Sequence, residues 1–291
     1  MGNAQKNLSA PRPAAAALIS AGDAENIRSF RRTVRAFYRK NRRDMPWRET
    51  ANPYHIVVSE IMLQQTQAER VHDKYLMFIK ALPDFDSLAD APLHRILLLW
   101  QGLGYNRRAL ALKKIAELVV EKWNGELPST VDALRGLPGI GHATASSIAA
   151  FAFNMPTVFI ETNIRRVFIH HFFEDRLDVH DREILPLVAA ALDRRNPREW
   201  YSALMDYGSA LKKQIPNPNR RSAHYVRQSE FEGSCRQKRG AVLKFLLNRP
   251  GCSAADIADC LGIARSDILP ILRQLASENF LVRIRNRYHI V

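Results

Sequence analysis

Two carboxylates in this sequence stand in settings that would give them opposite charge states. Glu60 lies among Val57, Val58, Ile61 and Leu63, where a helix would set it against an apolar surface. A carboxyl there is disfavoured in its charged form, so its pKa is expected to rise and make it a proton donor near neutral pH. Glu161, in Phe159-Ile160-Glu161-Thr162-Asn163, precedes a helix expected to begin near Thr162 or Asn163. The positive field of that N-terminus would keep its carboxylate ionised. One acid held neutral and one held charged is the division of roles that glycosidic bond cleavage uses. A surface glutamate at 60 and a simple helix cap at 161 remain open alternatives on this reasoning.

A second chemistry is the holding of phosphate. Leu137-Pro138-Gly139-Ile140-Gly141-His142-Ala143-Thr144-Ala145 stands between two helical patterns. The proline fixes a turn, and the glycines permit a positive φ and a close backbone approach. Amides at the start of the next helix would then face an anion. Such a helix-hairpin-helix grips a DNA backbone without reading sequence; a plain turn between helices is the alternative. Gln64-Gln65-Thr66-Gln67 places three glutamines in four residues, which suits hydrogen bonding to base edges or insertion into a duplex.

These residues need rigid elements beneath them. From about 26 to 210 the pattern is helical almost throughout, beginning with Ile27, Phe30, Val34 and Phe37 at the period of an amphipathic helix. Further helices are expected around 54–70, 71–81, 92–101, 106–123, 130–135, 142–153, 162–173, 180–192 and 199–211, separated by Pro, Gly and Asn/Asp punctuation. No run alternates as a sheet would, so the body is expected to be all-α. Residues 1–24, rich in Ala and Pro, read as a disordered tail, 25–211 as one helical domain, and 212–237 as a basic connector. In 238–291, helical patterns at 241–247, 254–261 and 268–278 precede two β-rich runs at 280–284 and 288–291. That is a winged-helix arrangement, with Arg283, Arg285 and Arg287 on the wing.

The formal net charge is +14 over 291 residues, which favours a polyanionic partner. No apolar run nears the ~18 residues of a membrane span, so no membrane partner is expected. The three cysteines, Cys235, Cys252 and Cys260, supply neither a disulfide framework nor a four-ligand cluster, and the reducing cytoplasm or nucleoid is the expected compartment. Cys252 and Cys260 are expected to be packed thiols. His170 and His171 are adjacent and would face different ways on a helix, so no metal site is expected.

The body resembles the helix-hairpin-helix DNA glycosylase superfamily, and within it the adenine-DNA glycosylase branch. The matching residues are Pro46-Trp47-Arg48, Pro53-Tyr54, Ser59-Glu60 through Thr66-Gln67, Leu99-Trp100-Gln101-Gly102-Leu103-Gly104-Tyr105, Leu137 through Ala145, Asn163 with Arg166-Val167, and Met205-Asp206-Tyr207-Gly208. The resemblance implies a two-lobed helical fold, a partner of double-stranded DNA carrying a mismatch or damaged base, and a nucleotide that leaves the stack to enter a pocket. It implies that Glu60 protonates a purine ring nitrogen, that Glu161 stabilises or attacks the oxocarbenium sugar, and that Asn163 supports Glu161. Trp47 and Arg48 match base-pocket positions, and Ser202 stands where the family has a pocket acid or amide. Gln64, Gln65, Thr66, Gln67, Tyr105, Leu137, Gly139, Gly141, Ala143 and Thr144 match DNA-contacting ones, and Arg220 and Arg221 of the connector are added as DNA contacts.

Several positions depart from the family pattern. The family has Asp where Glu161 stands, a displacement of the carboxylate by roughly an ångström that would slow the reaction if nothing else shifts. Bifunctional relatives carry a Schiff-base Lys where Ala143 stands, so a monofunctional enzyme is expected. Four cysteines of the family hold a [4Fe–4S] cluster; the corresponding places are Lys212, Asn219, Ser222 and Gln228, so neither cluster nor other cofactor is expected. The winged helix replaces a Nudix-like domain that senses 8-oxoguanine, and a Tyr-Tyr pair is Tyr105-Asn106. The expected protein is a monomeric adenine glycosylase of base excision repair, with a uracil or thymine mismatch glycosylase and a non-catalytic DNA-binding relative as alternatives.

Overall fold

The computed structural model describes residues 21–227 and 230–291. The expected tail lies outside the described residues but for Ala21–Ala24, which open α1 (Ala21–Asn41). Contacts divide the chain into two compact units: the residues through Arg43 with Val158–Tyr225, and Asp44–Thr157 with Val226–Val291. The 212–237 segment is therefore shared between the two units, and 238–291 packs with the second.

The first unit is built on α1, α9 (Thr162–Phe172), α10 (Asp181–Ala191) and α11 (Pro197–Gln214). Of the periodic residues of α1, Ile27, Phe30 and Val34 bury while Phe37 is half-buried, and Tyr38 completes the inner face. Phe30 meets Phe168 at a ring separation of 5.0 Å and Trp200 edge-on at 6.1 Å, contacts worth about 0.5–1.5 kcal/mol each beyond area burial. Where α9 crosses α11, a Cβ on Gly208 would fall 2.5 Å from the Asn163 carbonyl oxygen, so the close approach depends on glycine. Asp206, buried on α11, accepts from Arg43 Nε at 2.6 Å and from the Arg43 amide at 3.0 Å.

The second unit centres on α2 (Pro53–Leu63), capped by Asn52 and entered through a proline at its first position. Around it lie α3 (Ala68–Ala81), α4 (Phe85–Asp90), α5 (Leu93–Trp100), α6 (Arg107–Trp123), α7 (Val131–Arg135) and α8 (His142–Phe153). The expected helix over 54–70 is corrected here. It stops at Leu63, a loop runs over 64–67 with Gln65 at φ 54°, and α3 starts at Ala68. The cause lies across the fold, where the buried Arg108 guanidinium takes the carbonyls of Ile61 and Met62 at 3.0 and 2.8 Å, and that of Gln64. A continuing helix would have claimed those oxygens for its own amides. The short α4 has a capping box from Asp84 and Ser87 but no room for a visible period.

The C-terminal segment is a winged helix: α12 (Cys235–Asn248), α13 (Ala254–Leu261), α14 (Arg265–Ser277), then β1 (Leu281–Ile284) paired antiparallel with β2 (Arg287–Ile290). Its helices bury Leu243, Leu246, Ile257, Ile268, Leu272 and Leu275 against one another. Within its unit it is fastened to the preceding helices by His94 Nε2 on the Leu247 carbonyl at 3.0 Å and by Glu278, which meets both Arg107 and Arg239. One thiol expectation is corrected: Cys260 is exposed, on the outer face of α13, whereas Cys252 is half-buried.

Candidate active site

In the first unit, Glu161 is the N-cap of α9. Its Oε1 accepts from the amides of Asn163 and Ile164 at 2.7 and 2.8 Å, and Oε2 accepts from Asn163 Nδ2 at 3.3 Å. The cap and the candidate catalytic carboxylate are thus one group. Asn163 is itself oriented by Arg166, a buried residue whose Nη1 donates to Asn163 Oδ1 and to the Gly208 carbonyl at 2.7 Å each, and whose Nε donates to Asn217 Oδ1 at 3.1 Å. Burial pushes the Glu161 carboxyl above its ordinary value, against the expectation of an ionised group. The two backbone amides, Arg166 and Arg165 pull it back. The sequence match includes Arg166 but gives it no role; the signal for one is its place one turn beyond Asn163.

In the second unit, Glu60 is the half-buried position of a helix whose neighbours Val57, Val58, Ser59, Ile61 and Met62 are all buried. Ser147, on α8, donates its hydroxyl to Glu60 Oε2 at 2.6 Å. The hairpin sits at the end of the same α8. Gly139 adopts φ 75°, and Gly141 is the N-cap of α8 with an exposed backbone and no acidic residue in the first turn that follows. That helix start is a ready anion seat. Gln64 joins the two motifs, donating to the Gly139 carbonyl and to Thr144 Oγ1 at 3.3 Å each. Leu137 is buried, Ala143 half-buried, and Gln65 and Gln67 are exposed.

Arg108 extends this platform. Besides the three carbonyls that end α2, it donates to Thr66 Oγ1 at 3.0 Å and to the carbonyls of Leu103 and Gly104 at 3.2 and 3.1 Å. Burial brings its pKa down to about 10, which leaves it charged at neutral pH. Its guanidinium also lies 5.4 Å from the ring of Tyr105, a residue at φ 47° on the tip of its loop. Nothing in the local pattern marks Arg108, which reads as one more cation at the start of α6.

Of the remaining candidates, Trp47 is buried edge-on against Tyr75 at 5.5 Å, Arg48 is half-buried beside it in a short 3-10 turn, and Ser202 is buried on α11 in the first unit. Arg220 is exposed. Arg221 instead caps the C-terminal end of α9, donating to the Phe173 carbonyl and to that of Ile169 at 3.3 Å. The places matching cluster cysteines do not fit an iron–sulfur group: Lys212 is exposed, Asn219 donates to the Thr162 carbonyl at 2.9 Å, and Ser222 accepts the His224 amide at 3.1 Å. None can become a thiolate, and Gln228 lies outside the described residues. His171 bonds Tyr207 at 2.9 Å and is driven to about 4 by burial, hence neutral.

A glycine-bearing hairpin packed against a helix with a half-buried glutamate, in a largely helical frame, is a helix-hairpin-helix arrangement. Residues 58–185 match the family described as HhH-GPD superfamily base excision DNA repair protein. It is 36% identical over 187 residues to adenine DNA glycosylase of Buchnera aphidicola subsp. Baizongia pistaciae, covering 62% of this chain and 52% of that one. It is 30% identical over 251 residues to the human adenine DNA glycosylase, covering 82% and 45%. The chain thus spans about half the length of these curated relatives. Among solved structures, a thermostable thymine-DNA glycosylase matches with TM-score 0.58 at 27% identity, covering 64% of this chain and 87% of that one. A trapped endonuclease III–DNA covalent intermediate matches at TM-score 0.51 and 19% identity, covering 65% and 85%, a likeness of fold.

Proposed function

We propose that the protein is a monofunctional DNA N-glycosylase that hydrolyses the bond between sugar and base at a mispaired or damaged position in duplex DNA, adenine first. The observation that carries this reading is Glu60, held by Ser147 on α8 next to the hairpin that would seat the DNA backbone. In this mechanism Glu60 delivers a proton to the leaving purine, so that the base departs neutral. Glu161, oriented by Asn163 and two backbone amides, stabilises the sugar cation until water adds. The longer side chain of Glu161 is accommodated by doubling as the α9 cap, which supports a working group and not a lost one. Ala143 offers no amine, so the product is an abasic site with an intact strand. No step passes through an iron–sulfur cluster. The reading places a monomer in the cytoplasm, on nucleoid DNA.

The test is single-turnover cleavage of labelled duplexes carrying adenine opposite 8-oxoguanine, guanine or cytosine, and uracil or thymine opposite guanine, each with and without alkali. Alkali-dependent nicks at adenine are expected. Nicks at thymine alone would favour a second reading, which the likeness to the thymine-DNA glycosylase supports. Binding without any nick would make the chain a non-catalytic relative. Purified protein is expected to be colourless, and bound iron would contradict the cluster-free reading.

A further inference from the structure

The first unit carries a concentration of arginine that no step of the mechanism uses. Arg31, Arg35 and Arg39 follow one another at intervals of four on α1, a single ridge about 12 Å long at a helical rise of about 1.5 Å per residue. Against this ridge stands the turn between α10 and α11, which brings up Asp193 and Arg194. Arg35 Nη2 donates to Asp193 Oδ2 at 2.5 Å, and the surface is hollow on either side of that ion pair. One hollow, of about 240 Å³, is bordered by Arg39 and floored by the buried Trp200. The other, of about 440 Å³, is bordered by Arg31 and Arg194.

The hollows are short of counter-charge. Asp193 is taken by Arg35 and by the amides of Arg195 and Asn196 at 3.1 and 3.4 Å, and Glu199 by Asn196 Nδ2 at 2.7 Å. Arg39 and Arg194 are exposed and have no hydrogen-bond or ion-pair partner among the described residues. The Arg31 guanidinium lies 5.9 Å from the centre of the Trp200 ring, and Arg31 Nε and Trp200 Nε1 are both buried without an acceptor among the described residues. Arg28 and Arg32, on the neighbouring face of the same helix, instead share Glu25 at 2.6 and 3.3 Å. Like charges one helical turn apart repel, so the ridge is left with an unmet demand for anionic oxygen. The cations are all arginine, whose planar fork matches phosphate, and with Trp200 buried no ring is offered to a base, so the site would hold a backbone without reading sequence. Trp200 precedes Gly208 by eight residues, which sets the hollows about 12 Å along α11 from the crossing at Asn163 and apart from the Glu161 carboxylate.

We propose that the two hollows form a phosphate-chain site on the first unit, which takes the phosphodiester backbone of duplex DNA as a second grip in addition to the hairpin. This rests on the glycosylase reading for DNA as the partner but needs no turnover. The experiment therefore uses undamaged duplexes of two unrelated sequences, titrated with the full-length protein by fluorescence anisotropy over a salt series. Each phosphate contact adds about 0.9 to the slope of log affinity against log salt. Arg39→Gln combined with Arg194→Gln removes one exposed cation from each hollow. It is expected to make the slope shallower by about 1.8, equally on both sequences, with the melting temperature unchanged. Arg28→Gln combined with Arg32→Gln removes the same charge from the neighbouring face and is expected to change the slope by less than half as much. An unchanged slope in the first variant would overturn the proposal, and so would an equal loss in the second, which would mean diffuse surface charge. Inorganic tripolyphosphate offers the same chemistry without nucleic acid. Should it raise the melting temperature of the wild type but not of the Arg39/Arg194 variant, while the DNA slope stays the same in both, the hollows belong to a free phosphate compound and the DNA assignment falls. A wild type that bound no duplex would sink the glycosylase reading as well, whereas one that binds but never cleaves would sink that reading and leave this comparison intact.

Discussion

Glu161 and Glu60 are held by contrasting means. Glu161 is fixed by its own helix, through two backbone amides, and by polar side chains running from Asn163 to Arg166 and on to Asn217 of the connector. Its position is local in sequence and overdetermined. Glu60 rises from the middle of an apolar helix and meets a hydroxyl 87 residues away. Its position depends on how α2 packs on α8. A charge-stabilising group tolerates a polar lattice around it, and a proton donor needs a neighbourhood that does not insist on its charge.

Substitutions can break this contrast or sharpen it. The largest effect is expected from Glu60→Gln, which removes the proton while keeping the shape: single-turnover cleavage should fall by about 10²–10⁴-fold, with affinity for an abasic-analogue duplex retained. An unchanged rate would remove Glu60 from its assigned role. Next is Gly208→Ala, whose new methyl would collide with the Asn163 carbonyl. Overpacking there should cost about 1–3 kcal/mol in urea melts and slow cleavage as well, because the shifted backbone belongs to Asn163. Loss of stability without loss of rate would separate the helix crossing from the carboxylate.

Ser147→Ala is expected to be milder, slowing cleavage by about tenfold, the equivalent of one lost hydrogen bond. A loss as large as that of Glu60→Gln would mean that the hydroxyl takes part in proton delivery. The smallest effect is electrostatic. Hydrogen bonds from Arg107, opposed by burial and aided by Arg239, hold Glu278 near a pKa of about 2, against an ordinary 4.5. A carboxyl depressed in the folded state adds stability that is fully present above its unfolded pKa and is lost as pH falls from about 4.5 toward 2. Thermal melts across that window should show the wild type losing more stability than Glu278→Gln, by about 1 kcal/mol once the exposure of Arg107 is discounted. Parallel curves would mean that the module is not held by this carboxylate.

The asymmetry also explains what sequence reasoning recovered. Glu161, Asn163 and the hairpin of 137–145 act through neighbours within a few residues, so type and spacing expose them. Ser147 and Arg108 act across the fold. Their targets lie 87 and up to 47 residues away, and no local period carries that information. The same distance effect hid the end of α2, because the apolar pattern runs on through Val71 while Arg108 takes the carbonyls that would continue the helix. Arg221 looked like a DNA contact because an arginine in a basic connector carries no sign that a nearby helix end will claim it.

The Arg108 guanidinium serves the Gln64 carbonyl, the Thr66 hydroxyl and the Leu103 and Gly104 carbonyls at once. Two surface loops that are far apart in the chain therefore share one fastening and cannot fray separately. Their amides should exchange with solvent deuterium as one cooperative unit, with a common opening free energy well above that of ordinary loop tips. Truncating Arg108 would release both together. Mechanically, the two loops form a single stiff jaw.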